Sequence, residues 1–231
     1  MEKDIIYVGD PMCSWCFGFS EVKHKLIQQC KGRANIRFIA GGLYPDRTDK
    51  PDEKYRHFLQ EHWVKIGKLT GQRFALEILS REDLMYNTEL PCRAVVSVRE
   101  MEGDEVALDF FTHLQKAFYS EGVCISNDAA LIELARCFGL DKERFSALYF
   151  SDAMKQQTRA DFAFSQRLGV TGFPTVVVKD RAGYAYLTVG YQPYEQLQAL
   201  LEAWLSDQLP EQHSGDVPEP VESCIFQQSE R

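Results

Sequence analysis

Short apolar runs separated by turn residues organise the first part of the chain. Residues 4–9 form an apolar, partly β-branched run that stops at Gly-Asp-Pro, which is typical of a short buried strand. Apolar residues then recur at helical spacing from Cys16 to Cys30, and an alternating segment at 35–40 stops at two glycines. The first forty residues therefore predict a strand–helix–strand unit.

The middle of the chain, from about Pro51 to Gly169, has a mainly helical periodicity. Pro91 suits the first turn of a helix, and Ser126-Asn127-Asp128 is a typical helix cap. The pattern predicts a series of helices at 55–69, 92–101, 105–119, 129–138, 141–149 and 152–168.

The last part of the chain returns to strand patterns. A β-branched run at 175–178, a turn at 180–183 and a second run at 184–189 predict a hairpin, and an amphipathic helix follows at 194–205. Further on, the chain is rich in proline, glutamate and serine, which predicts poor order.

The order βαβ, helical block, ββα predicts an α/β protein with a thioredoxin-like fold and a large helical insertion. We place the thioredoxin-like domain at residues 1–45 and 165–206, the helical insertion at 46–164, and a flexible C-terminal tail at 207–231.

Charge and hydropathy exclude several classes of partner. The formal net charge is −8 and no run of lysine or arginine occurs, which argues against a nucleic-acid partner. No apolar run approaches the roughly 20 residues that a membrane span needs. The first residues lack the pattern of a secretory signal, so we expect a cytoplasmic protein.

The chain has seven cysteines with scattered spacings, and most of them are expected to be free thiols in a reducing cytosol. Cys13 and Cys16 are the close pair, at the predicted start of the first helix. A helix N-terminus stabilises a thiolate, which is the nucleophile of disulfide exchange. We expect Cys13 to be the more exposed, attacking thiol and Cys16, one turn later, to resolve the mixed disulfide.

A metal site and a chemically inert pair are the alternatives to redox chemistry for these two cysteines. Structural zinc usually has four ligands, and the sequence has no second CxxC and no suitably spaced histidine pair beside this one. We therefore predict no metal. Between the two cysteines, Trp15 offers an apolar face that could border a substrate groove.

A second motif, Gly-Val-Thr-Gly-Phe-Pro-Thr at 169–175, puts Pro174 directly before the β-branched run. Together with Cys-Ser-Trp-Cys-Phe-Gly-Phe, it resembles the DsbA-like thioredoxin-fold proteins, and the cytosolic FrnE-like branch in particular. Shorter similar segments are Gly41-Gly42-Leu43, His62-Trp63, Asn87-Thr88, Arg93-Ala94 and Ser120-Glu121-Gly122. The resemblance spans about residues 4–204.

The resemblance implies that Pro174 is cis and lies against the CxxC, that Phe173 contacts an extended substrate, and that the helical block covers one side of the active site. The chain departs from the family in two ways. Its CxxC dipeptide has no histidine, the residue that makes periplasmic DsbA strongly oxidising, and its tail has the single Cys224 where some relatives have a cysteine pair.

The leading hypothesis is a protein disulfide oxidoreductase or isomerase that acts on protein or small-molecule thiols and disulfides. It needs no cofactor, and glutathione is a candidate redox partner. The alternative is a glutathione-dependent transferase or isomerase of the kappa-class or 2-hydroxychromene-2-carboxylate isomerase type, in which a serine usually stands at the position of Cys13. A non-catalytic binding module is a third hypothesis. The oligomeric state, and the roles of Cys92 and Cys224, stay open.

Overall fold

The computed structural model of the chain describes residues 3–208 and the two-residue strand at 224–225. Its strands are β1 (Asp4–Gly9), β2 (Asn35–Ala40), β3 (Gly172–Phe173), β4 (Thr175–Asp180), β5 (Gly183–Val189) and β6 (Cys224–Ile225). Four of them form a sheet of order β2-β1-β4-β5, in which β1 is parallel to β2 and antiparallel to β4. The central β1 is buried along its whole length, which explains its continuous apolar sequence.

The helices follow the predicted order. They are α1 (Ser14–Gly18), α2 (Ser20–Cys30), α3 (Glu53–Thr70), α4 (Glu89–Glu102), α5 (Asp104–Tyr119), α6 (Asp128–Cys137), α7 (Lys142–Tyr149), α8 (Asp152–Arg167) and α9 (Tyr194–Leu205), with a 3-10 helix at Leu76–Ser80. The predicted thioredoxin-like fold with a helical insertion is confirmed.

The division into domains stays a prediction. Helices α3 to α7 lie within the proposed insertion, whereas its proposed end at residue 164 falls inside α8. Of the tail predicted at 207–231, residues 207–208 and β6 are described, and the remainder lies outside the described residues.

The single helix predicted from Cys16 to Cys30 is in fact two helices that meet at Phe19. The Ser20 hydroxyl donates a hydrogen bond to the Phe17 carbonyl at 2.7 Å. A serine side chain that bonds the preceding turn in this way competes with the regular helix ladder and bends the helix. The path stays helical across the break, because the Phe19 N–H still donates to Trp15 O at 2.9 Å.

Side chains of the helical block satisfy the outer edge of β2. Carboxylate oxygens of Asp104 and Asp161 accept from the backbone N–H groups of Phe38 and Ala40 at 2.7 and 2.9 Å. Arg99 donates to the Phe38 carbonyl at 2.6 Å and pairs with Asp161 at 2.7 Å. These groups take the place of a neighbouring strand along the second half of β2, at Phe38 and Ala40.

Aromatic packing anchors α1 to the helical block. The Phe17 ring stacks on Tyr119 of α5 with ring centroids 5.0 Å apart, and the edge of Phe74 meets it at 5.1 Å. A Cβ at Gly18 would come within 2.8 Å of an Ile66 methyl carbon, so α3 also approaches α1 closely. The CxxC motif is therefore held between the sheet and the helical block.

Candidate active site

The two motif cysteines lie where the chain leaves β1 and enters α1. Cys13 is the residue before the helix and has an extended backbone, with φ −89° and ψ 116°. Its N–H donates to Asp10 O at 3.0 Å, which closes the turn, and its carbonyl accepts the first helical hydrogen bond, from Phe17 N, at 3.1 Å. Cys16 follows one turn into the helix, and both residues are free thiols.

The late motif is brought directly to Cys13. The Phe173–Pro174 peptide bond is cis, as the family resemblance implied. The Cys13 thiol donates to the Phe173 carbonyl with Sγ and O 3.7 Å apart, although the two residues are 160 positions apart in sequence. The Pro174 carbonyl accepts from Gly190 N at 2.7 Å, which ties the loop to the end of β5.

A glycine at the end of β2 supports the loop that carries Phe173. A Cβ placed on Gly41 would overlap the Cε1 and Cζ atoms of the Phe173 ring. The Gly41 N–H also donates to Gly9 O at 2.8 Å, which continues the β1–β2 pairing toward the CxxC turn. Gly41 thus leaves the space that the ring of Phe173 occupies, and the next glycine, Gly42, lies in the same way against the ring of Phe162.

The predicted site residues are all buried. Cys13, Cys16, Trp15 and Phe173 each have an exposed fraction of 0%, and Pro174 is buried as well. The expectation that Cys13 is more exposed than Cys16 is wrong for this conformation, in which β6 pairs with β3 and places Cys224 opposite Phe173 in register. The substrate contact of Trp15 stays a prediction.

Two rings enclose Trp15. His62 meets its edge with ring centroids 5.7 Å apart, and Tyr191 lies tilted against it at 5.8 Å. The indole N–H is buried and has no acceptor among the described residues.

A buried carboxylate organises the turn before Cys13. Asp10 accepts from Met12 N at 2.8 Å and from Leu43 N at 2.7 Å, and the Cys92 thiol donates to it with Sγ and O 3.4 Å apart. Burial raises the pKa of the Asp10 carboxyl to about 6, against the opposing effect of these hydrogen bonds. Asp10 therefore joins the CxxC turn to the chain that follows β2.

Cys92 is a buried thiol of low reactivity. Its exposed fraction is 0%, and burial followed by the nearby Asp10 carboxylate raises the pKa of its thiol well above the ordinary value. A thiol in such surroundings is rarely ionised and is a poor nucleophile.

Two further polar side chains, those of Tyr7 and Lys23, are buried together, with Lys23 Nζ 5.4 Å from the centroid of the Tyr7 ring. The Tyr7 hydroxyl, from β1, is buried and makes no regular hydrogen bond among the described residues. Burial, and then the charge of the Cys16 thiolate, raise the pKa of the Tyr7 phenol well above its usual range. Lys23, from α2, is 4% exposed, and burial lowers the pKa of its amine to about 7, against the opposing effects of Cys16 and Asp109.

Within the described residues, no group of three or more His, Cys, Asp or Glu side chains could hold a metal ion. In the same part of the chain, no helix is both long enough and apolar enough to cross a membrane.

The family model of the DSBA-like thioredoxin domain matches residues 4–202, which is most of the chain. The chain belongs to the DsbA-like thioredoxin family. Its thioredoxin-like fold, its CxxC turn and its cis-proline loop are all placed within the matched range.

Solved structures of other proteins are similar over nearly the whole chain. A "putative protein disulfide isomerase" from Nitrosomonas europaea is 35% identical, with a TM-score of 0.82, over 90% of this chain and 99% of that one. The cytosolic disulfide reductase DsbM from Pseudomonas aeruginosa is 25% identical, with a TM-score of 0.74, over 88% and 98%. DsbM has also been solved with glutathione.

The curated relatives are more distant. The ClpXP adapter protein SpxH of Bacillus subtilis is 22% identical over 75% of this chain, and the chain spans 57% of the length of SpxH. A 2-hydroxychromene-2-carboxylate isomerase shares the fold at 15% identity and a TM-score of 0.60, over 87% of this chain and 94% of that one, and this likeness shows the fold alone. Membership of the DsbA-like family supports thiol–disulfide oxidoreductase chemistry in general terms.

Sequence reasoning missed Tyr7 and Lys23 in this DsbA-like protein. The sequence held one signal for Lys23. It lies on the same helical face as the apolar residues Phe19, Leu26 and Cys30, where a core residue is expected. Tyr7 carries no such signal, because a tyrosine in a buried strand is common.

Proposed function

We propose that the chain is a thiol–disulfide oxidoreductase in which Cys13 is the nucleophile and Cys16 the resolving thiol. The observation that carries this proposal is the contact of the Cys13 thiol with the carbonyl of Phe173, at the cis bond to Pro174, with Cys16 one turn along α1. The nucleophilic thiol therefore lies next to a backbone edge to which an extended disulfide substrate could bind.

The reaction proceeds by two thiolate attacks. The Cys13 thiolate attacks one sulfur of a substrate disulfide, which forms a Cys13–substrate mixed disulfide and releases the other substrate sulfur as a thiolate. The Cys16 thiolate then attacks Cys13 Sγ, which forms the Cys13–Cys16 disulfide and releases the second substrate thiolate. Two external thiols, such as two glutathiones, restore the dithiol and leave as a disulfide. The same steps in reverse oxidise a substrate.

We expect substrates to bind in an extended conformation along Gly172–Phe173. Support comes from β6, which pairs antiparallel with this edge as an extended substrate would. The indole N–H of Trp15, which has no acceptor among the described residues, would donate to a substrate carbonyl. Protein disulfides are the expected substrates, and glutathione is the proposed thiol partner because DsbM has been solved with it.

We also propose a cytoplasmic location, which the likeness to cytosolic DsbM supports. The adapter role named for SpxH is not carried over to this chain, which covers only part of that protein's length.

Trapping the mixed disulfide tests the proposal. A Cys16→Ser variant incubated with oxidised glutathione, or with a disulfide-bonded peptide, should accumulate an adduct on Cys13, which peptide mapping distinguishes from any adduct on the exposed Cys137. Cys13→Ser should form no adduct at this site, and Cys92→Ser is the matched control that should behave as the unmodified chain. An adduct that forms equally well in Cys13→Ser would contradict the assignment.

The glutathione-transferase alternative predicts a different pattern. Conjugation of glutathione to an electrophile such as 1-chloro-2,4-dinitrobenzene would then be catalysed, and it would survive in Cys16→Ser because no resolving thiol is needed. Catalysed conjugation together with absent disulfide exchange would favour this alternative.

A further inference from the structure

The carboxylate of Asp10, which directly follows β1, has no exposed surface. Its charge is compensated by hydrogen-bond donors rather than by a cation of the described residues. Burial of a carboxylate costs free energy, and a neutral acceptor such as asparagine would cost less at the same position. The hydrogen bonds of Asp10 must therefore provide something that a neutral side chain cannot.

The two carboxylate oxygens of Asp10 accept from two different segments of the chain. Oδ1 accepts from Met12 N at 2.8 Å, within the turn that carries Cys13, and Oδ2 accepts from Leu43 N at 2.7 Å, in the segment that follows β2. An asparagine has one acceptor oxygen and would turn its NH2 group toward the second donor, so only an ionised carboxylate serves both N–H groups. The pKa of Asp10, raised by burial to about 6, keeps it ionised at pH 8.

The same two segments meet again at the cis-proline loop. Gly41, two residues before Leu43, lies so close to the ring of Phe173 that a Cβ would overlap it. The carbonyl of Phe173 in turn lies 3.7 Å from Cys13 Sγ. Asp10 therefore closes a ring of contacts that joins the nucleophile to the segment supporting the Gly172–Phe173 edge.

We propose that Asp10 is a positioning residue for disulfide exchange, whose two carboxylate oxygens fix the Cys13 turn relative to the Gly172–Phe173 edge. The inference rests on the proposed function, in which an extended substrate binds along that edge.

This role affects extended substrates and spares small ones. The Cys13 thiolate attacks a sulfur of the substrate disulfide, forms the Cys13–substrate disulfide and releases the other sulfur as a thiolate. A substrate bound along Gly172–Phe173 reaches that geometry only if the edge and Cys13 Sγ are in register, and a small misplacement is costly in rate. A disulfide without flanking backbone does not use the edge, so the register does not affect it.

A matched pair of disulfides separates the two effects. One is a ten-residue peptide whose single cysteine is joined to 2-nitro-5-thiobenzoate, and the other is N-acetylcysteine amide joined to the same group. Capture by Cys13 releases the coloured thiolate from both, and stopped-flow absorbance gives the two rates at pH 8. A Cys16→Ser/Cys137→Ser/Cys224→Ser background prevents resolution and removes the exposed thiol and the thiol of β6.

The measured quantity is the ratio of the peptide rate to the small-disulfide rate, from which the thiolate fraction of Cys13 cancels. In the background protein this ratio should exceed one. Asp10→Asn should lower it about tenfold, without slowing the capture of the small disulfide. A cycle with Gly41→Ala should be less than additive in free energy, because both substitutions disturb the same register.

Two controls match the substitution. Asp141→Asn exchanges the same side chains at the start of α7, where Asp141 accepts from Arg144 N at 2.7 Å and asparagine caps equally well. Tyr149→Phe removes a hydrogen bond to Asp128, at 2.5 Å, and controls for a loss of stability. Both variants should keep the ratio of the background within about twofold, including at a denaturant midpoint as low as that of Asp10→Asn.

An unchanged ratio in folded Asp10→Asn would overturn the inference, as would an equal fall of the ratio in Tyr149→Phe. If Asp10→Asn does not fold, Asp10→Glu gives the same comparison. It keeps both oxygens on a side chain one methylene longer, so it should also lower the ratio, and an unchanged ratio would again overturn the inference. The failure of the proposed function looks different, because Cys13→Ser would then release the thiolate as fast as the background protein.

Discussion

The ring of Phe173 lies directly over the Cα of Gly41, in space that any side chain at position 41 would occupy. The carbonyl of the same phenylalanine contacts the Cys13 thiol. The end of β2 therefore sets where the cis-proline loop sits relative to the nucleophile, although neither glycine 41 nor its neighbours carry any reactive group.

Gly41→Ala should accordingly damage both stability and exchange activity. The added methyl displaces the Phe173 ring, which we expect to cost about 1–3 kcal/mol in the free energy of unfolding and about tenfold or more in the rate of disulfide exchange. Denaturant unfolding and a peptide-disulfide reduction assay measure the two effects. Phe173→Leu should restore part of the stability lost in Gly41→Ala, whereas Phe173→Leu in the otherwise unchanged chain should not raise the stability. Additive effects of the two substitutions in the double mutant would contradict the contact between residues 41 and 173.

Removal of residues 209–231 should make Cys13 more reactive. The deletion removes β6, the strand that pairs with Gly172–Phe173 beside the buried thiol. If access to Cys13 requires β6 to detach from β3, the deletion removes a cost of about one net hydrogen bond, and alkylation of Cys13 should become about tenfold faster. Mass spectrometry of timed iodoacetamide reactions measures this rate. Removal of 226–231 alone keeps β6 and should leave the rate unchanged, whereas equal rates in all three proteins would show that β6 does not limit access.

The pH dependence of stability should reveal the buried Lys23. Its pKa is lowered by burial to about 7 from 10.5, so between these values the unfolded chain binds more protons than the folded one. The contribution of Lys23 to the free energy of unfolding therefore rises with pH from about 7 to 10.5, by up to about 1 kcal/mol per pH unit, and is lost as the pH falls through 7. Denaturant titrations of the chain and of Lys23→Met should diverge in this window. If the free energies of unfolding of the two proteins instead change with pH in parallel, burial does not lower the pKa of Lys23.

The remaining cysteines should differ widely in reactivity. Burial raises the pKa of the Cys30 thiol to about 12 and that of Cys92 well above its usual range, whereas Cys137 is exposed. At pH 8 the thiolate fraction of Cys30 is then about a thousandfold below that of an ordinary thiol. Timed alkylation should modify Cys137 first, with Cys30 and Cys92 protected until the chain is unfolded. Early labelling of Cys92 would instead support a redox role for it.

Sequence patterns predict the main elements because their signals are local. The buried strand at 4–9, the capped helix after Asn127 and the hairpin at 175–189 are each specified by neighbouring residues, and the structure has them within a few positions. The pairing of the CxxC with Pro174 came from the resemblance of two motifs to one family, not from any local pattern.

Other features were beyond the reach of those signals. β3 has two residues, too few for a periodicity, and β6 lies in a segment whose composition predicts poor order. The bend at Phe19 depends on one serine hydroxyl. The contact between Tyr7 and Lys23 joins a strand to a helix, so only the assembled core brings the two residues together, and the lysine on an apolar stripe was its single trace in the sequence.

A redox titration tests the central claim most directly. The purified protein is equilibrated across glutathione buffers, and its free thiols are counted by mass-shift alkylation, with Cys13→Ser as the control. The account predicts a reversible two-electron couple that involves Cys13 and Cys16, is absent in Cys13→Ser, and has a midpoint nearer thioredoxin's value of about −270 mV than the value of about −120 mV for DsbA, because Ser14-Trp15 supplies no histidine. A pair that never closes into a disulfide, or closes only irreversibly, would contradict it.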